Sequence, residues 1–85
     1  MSVSGDLQRT FLLLECAAEV AECTVYFEPE GASHVLKAGE HFRVEAVLPA
    51  DYQIEISYGP GSITVWAEQT WGTRAFTQDG QELKL

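Results

Sequence analysis

The chain has 85 residues, 46% of them hydrophobic and 21% charged; this is ordinary globular material for one domain, residues 1–85, and leaves no room for two separate cores. Thirteen Asp and Glu against five Lys and Arg leave a net charge of −8, which excludes a phosphate-clamping surface: nucleic-acid affinity needs clustered cations, and Arg9, Lys37, Arg43, Arg74 and Lys84 are scattered. The same charge opposes an anionic membrane and favours a partner with a basic surface.

The first apolar run is "TFLLLECAAEVA". It is too short to cross a bilayer, and with Asp6 upstream and Glu15 inside it, it departs from a signal peptide. The expectation is a cytoplasmic protein used without cleavage. Two backbone readings compete here. A helix over about residues 6–22 would be capped by Ser4 or Asp6, with Leu7, Phe11, Leu14, Ala18 and Ala21 along one stripe, making the fold α+β. Alternatively "RTFLLLEC" is a buried strand with Leu12, Leu14 and Cys16 on one face. Its partner would then be "CTVYFEPE", with Cys23, Val25 and Phe27 inward and Thr24, Tyr26 and Glu28 outward. The strand reading is preferred because everything downstream is β. In it, "ECAAEVAEC" is a connection, and its thiols are reduced and buried as small hydrophobes. A disulfide and a zinc site shared with His34 and His41 are the alternatives. Small disulfide scaffolds usually carry more cysteines, and neither residue pair has the close spacing of a zinc finger.

Downstream, "HFRVEAVL" alternates Phe42, Val44, Ala46 and Leu48 against His41, Arg43 and Glu45. "QIEISY" repeats the pattern with Ile54, Ile56 and Tyr58, and "SITVWAEQ" with Ile63, Val65 and Ala67. Turns punctuate these runs at "KAGEH", at "YGPGS" and at Asp79-Gly80 between Arg74–Thr77 and Gln81–Leu85. The reading is an all-β fold: a small two-layer sandwich or barrel of about six or seven short antiparallel strands.

The segment "TVYFEPEG", then "VLKAGEHFRVEA", then "IEISYGPGSITVW" spans residues 24–66. It resembles small uncharacterised bacterial and phage all-β proteins with the pattern Glu-Pro-x-Gly, Leu-x-x-Gly-Glu-x-Phe-x-Val and Thr-Val-Trp. Glu30 stands where an aromatic residue is frequent in those proteins. The resemblance implies the two-sheet fold and carries no function and no site residue.

No spacing suggests catalysis. His34 and His41 belong to no nucleophile elbow and no HExxH. His34 is expected in a loop and His41 on an exposed strand face, and no cofactor motif is present. What remains points to recognition of protein. Tyr26, Trp66 and Trp71 fall opposite the apolar stripe or near loops, where aromatics anchor interfaces if exposed. Trp66 either packs under a loop or marks a surface for a partner or a second copy of the chain. Glu28, Glu45, Glu55 and Glu68 are each expected to point outward; aligned on one sheet, they would form a negative face interrupted mainly by Arg43. The leading expectation is a non-enzymatic protein-interaction module using Tyr26, Glu28, Glu45, Glu55, Trp66, Glu68 and Trp71. The alternatives are an acidic inhibitor of a nucleic-acid-binding defence complex, by analogy of size and charge with phage anti-CRISPR proteins, and a metal- or ligand-binding sandwich.

Overall fold

The computed structural model describes residues 7–67 and 72–85. Among these residues there is no helix, and eight strands follow in order. They are β1 (Leu7–Glu15), β2 (Glu22–Glu28), β3 (Ala32–Lys37), β4 (His41–Pro49), β5 (Glu55–Gly59), β6 (Ser62–Trp66), β7 (Gly72–Thr77) and β8 (Glu82–Leu83). They form two four-stranded sheets, β1-β4-β7-β8 (sheet I) and β3-β2-β6-β5 (sheet II). Among the described residues each sheet keeps unpaired edges, so the architecture is the sandwich and not the closed barrel. The strand reading of the N-terminal segment holds, and the alternative helix is absent over Leu7–Glu15.

Alternation builds the core. Leu14, Phe42, Val44 and Ala75 of sheet I meet Val25, Phe27, Leu36, Ile63 and Val65 of sheet II in one buried cluster. Every one of these positions is explained by the period of two: inward side chains lose water, outward ones keep it. Phe42, Val44, Ala46 and Leu48 are all buried, as the pattern of β4 requires for a strand held between β1 and β7.

Three details differ from the sequence-based expectation. The strand count is higher because Ala32–Lys37 forms β3, pairing with β2 from Glu22↔Lys37 to Phe27↔Ala32. Its stripe of Ala32, His34 and Leu36 is weakly apolar, and the histidine disguises it as loop. His34 is therefore a strand residue. Secondly, β2 is not the neighbour of β1. The segment "ECAAEVAEC" crosses from one sheet to the other, as does the Ala38–Glu40 connection from β3 to β4. Gly39, at φ +78°, takes the left-handed conformation that this crossing needs. Thirdly, the pairs are not all antiparallel. β2 and β6 run parallel, Thr24 opposite Ser62 through Glu28 opposite Trp66. A parallel neighbour requires a long return path, and here that path is β3, β4 and β5.

The expected hairpins are present. Pro60-Gly61 joins β5 to β6, with Gly61 at φ +68° after a proline that presets its own φ, the combination a type II turn asks for. Asp79-Gly80 lies between β7 and β8, where Gln81 N–H donates to Thr77 Oγ1 at 3.1 Å.

Candidate interaction surface

The outward face of sheet II is assembled by register. On β2 the alternation exposes Tyr26 and turns Glu28 the same way; on β6 it does so for Trp66, and on β5 for Glu55 and Ser57. Glu28 pairs with Trp66, and Glu55 pairs with Trp66 from the other side. The three form one row, Glu28–Trp66–Glu55, with the tryptophan in the middle. The next row runs Ser33–Tyr26–Thr64–Ser57. Paired side chains in neighbouring strands are about 5 Å apart at Cβ, and diagonal positions stay within reach of an aromatic ring. Tyr26 and Trp66 are diagonal neighbours, 40% and 39% exposed, and Trp66 lies between two carboxylates. Among the described residues no basic side chain forms an ion pair with Glu28 or Glu55.

The expected single acidic face is divided. Glu45 lies on β4 in sheet I, with Arg43 at 3.7 Å, because β4 pairs with β1 and β7 and never with β2. Arg43 therefore interrupts nothing on sheet II. Glu68 and Trp71 lie outside the described residues. The outer face of sheet I is a mixed surface: the guanidinium carbons of Arg43 and Arg74 sit 5.0 and 5.1 Å from the centre of the Phe76 ring. Arg74 also grips Glu82 with a fork, Nε to Oε2 at 3.0 Å and Nη2 to Oε1 at 2.9 Å. That fork holds the Glu82 carboxyl below its ordinary value.

The two cysteines and two histidines do not converge on a cation, and among the described residues no group of three or more His, Cys, Asp or Glu is placed to hold one. Cys16 is fully buried and Cys23 half-buried; both are free thiols, with Sγ atoms 3.4 Å apart. Burial, and then the Cys23 sulfur, pushes the Cys16 thiol above its ordinary value. A thiol whose folded pKa is raised contributes stability that is full below its unfolded pKa of 9.0 and is lost as pH rises towards the folded value. Under reducing conditions the denaturant midpoint should therefore fall from about pH 9 upward, and Cys16→Ala should flatten that fall. Equal slopes in the two proteins would refute it.

His34 is spent on structure. Its Nε2–H donates to the Lys84 carbonyl at 2.7 Å, and its ring sits edge-on to Phe27 and Phe42. The groove beside it, lined by His34, Glu40, His41, Phe42, Gln78 and Leu83 among others, encloses about 230 Å³, below the range of a typical small-molecule site. His34→Ala should free the C-terminal residues, read as faster amide exchange at Lys84 and Leu85 than in the parent; unchanged exchange would show that the bond holds nothing.

Tyr26, Glu28, Glu55 and Trp66 are legible in the sequence as candidates, but their adjacency is created only by the pairing of β2 and β5 with β6. Phe11 and Leu13 carry a weaker signal: their outward position is implicit only in the alternation that turns Leu12 and Leu14 inward. Compared with models of protein families, with curated proteins and with solved structures, the chain matches none.

Proposed function

We propose that this chain is a non-enzymatic protein-interaction module, and that the outer face of sheet II docks a partner presenting lysine or arginine side chains. The observation that carries the reading is the row Glu28–Trp66–Glu55 with Tyr26 beside it. A tryptophan face attracts a cation through its quadrupole. Two flanking carboxylates deepen the same negative potential, and the net charge of −8 extends it across the molecule. Hydroxyl side chains at Ser33, Thr64 and Ser57 keep the neighbouring row low and polar, and the rings of Tyr26 and Trp66 stay 40% and 39% exposed. A decoy for a long basic channel would want carboxylates along a whole face. The division of Glu45 from Glu28 and Glu55 favours recognition of a few cationic side chains instead.

The test is a titration with a short lysine- and arginine-bearing peptide, followed by NMR. The indole N–H of Trp66 and the ring of Tyr26 should shift, and the affinity should weaken as salt is raised, since exposed charge pairs are screened. Shifts confined to other surfaces, or binding indifferent to salt, would overturn the reading.

A further inference from the structure

We propose that the free edge of β1 pairs with β1 of a second copy, antiparallel and centred on Leu12, joining the two copies' sheets I into one continuous sheet. Among the described residues β1 is an outer strand of sheet I, with no strand paired on its far side. It is nine residues long, pairs with β4 in unbroken register from Leu7 to Glu15, and contains no proline, glycine or lysine. Natural edges are usually blunted by shortness, charge, proline or a bulge. The other three edges fit that rule: β8 has two residues, β5 has five and runs into Pro60, and β3 ends at an exposed Lys37. β1 alone is long and free of proline, glycine and lysine; its two outward charges, Arg9 and Glu15, flank Phe11 and Leu13, which are 57% and 65% exposed on its outer face.

Hydrogen bonding sets which residues the edge offers. Cys16 N–H donates to the Glu40 carbonyl at 3.0 Å, and Gly39 N–H donates to the Cys16 carbonyl at 2.9 Å. The backbone groups of Cys16 therefore face the β4 side. By alternation those of Leu14, Leu12 and Thr10 do too, while those of Arg9, Phe11, Leu13 and Glu15 face outward. A two-fold antiparallel partner must then set odd residues against odd. Centring on Leu12 places Phe11 opposite Leu13 of the second copy and Arg9 opposite Glu15 of the second copy. Centring on Phe11 sets Arg9 against Leu13, and centring on Leu13 sets Phe11 against Glu15; both leave a charge facing a hydrophobe. Only the Leu12 register matches apolar with apolar and cation with anion at every outward pair, and symmetry repeats each match. On the inner side it brings the half-buried Leu12 of each copy together.

Sedimentation equilibrium of the full 85-residue chain, from low micromolar to about 1 mM, tests this. The mass should rise with concentration from 9.4 kDa towards twice that value. Arg9→Glu and Glu15→Arg should each weaken association by about tenfold, since each places like charges across the seam twice, and the double swap should return it to within about threefold of the parent. Leu13→Pro removes an outward N–H and no bond to β4; it should leave the protein folded by circular dichroism and monomeric. A parent that stays monomeric throughout, a double swap no stronger than either single change, or a Leu13→Pro protein that still dimerises would overturn the proposal.

Discussion

Phe27→Ala lowers the unfolding free energy by about 3–5 kcal/mol. Phe27 is among the largest fully buried side chains, on β2 between Ala32 of β3 and Val65 of β6, with the His34 ring at its edge. Truncation removes the transfer free energy of the ring and leaves a cavity that two hydrogen-bonded neighbours cannot close. A domain of this length has a total stability of about 4–13 kcal/mol, so the loss takes a large share of it. Urea unfolding followed by circular dichroism should show the midpoint collapse, with an appreciable unfolded fraction before denaturant is added. Val35→Ala, on the exposed face of β3, changes stability by about 0.5 kcal/mol or less and serves as the comparison. A Phe27→Ala protein within about 1 kcal/mol of the parent would mean that the two sheets do not pack on this residue.

Trp66→Ala weakens binding of a lysine- and arginine-bearing peptide by about 30- to 1000-fold, the range in which a central aromatic anchor acts. The side chain points away from the core, whereas its neighbours Val65 and Ala67 are buried, so the variant stays folded and loses only cross-strand contact of about 1 kcal/mol. Folding and binding effects are thereby separated. Glu28→Gln and Glu55→Gln reduce affinity less and flatten its dependence on salt, because each removes a charge and leaves the ring. Isothermal titration at two ionic strengths reads both effects. A Trp66→Ala protein that binds as the parent does would sink the docking surface, and carboxamide variants with the parent's salt dependence would remove the carboxylates from it.

The face of sheet II and the edge of β1 are separate surfaces, one on each sheet. A second copy seated on β1 would lie away from Trp66, so dimerisation would place two of the proposed docking rows on one particle and raise avidity for a partner with repeated basic residues. The Leu13→Pro monomer isolates the intrinsic affinity of a single row.

The amino-acid order by itself determined that this chain is β, where most strands run, and which side chains face inward on the central strands. Those features are local: successive Cβ atoms alternate, and hydrophobes at every second position demand burial on one side. Phe42, Val44, Ala46 and Leu48 were legible for that reason, as were Cys23, Val25 and Phe27 against Tyr26 and Glu28. Tyr58, placed on the apolar stripe of "QIEISY", is 75% exposed because β5 is an edge with no strand beyond it among the described residues. The hairpins at Pro60-Gly61 and Asp79-Gly80 were legible because their backbone demands are met by particular residues. Only β3 escaped, its alternation too weakly apolar to register.

The tertiary structure alone decided who neighbours whom. An alternating strand offers the same ladder to any partner, and loop-closure entropy changes only slowly with the length of the connection, so nothing local assigns β2 to β6 in parallel or separates β1 from β2. That choice brings Glu28, Trp66 and Glu55 into one row and sends Glu45 to the other sheet. It also turns "ECAAEVAEC" from a link between neighbours into a crossing between layers, and leaves β1 at an edge. The candidate surface was thus legible as residue types and illegible as a place, because a strand's periodicity is written in its own residues and its register is written in another strand's.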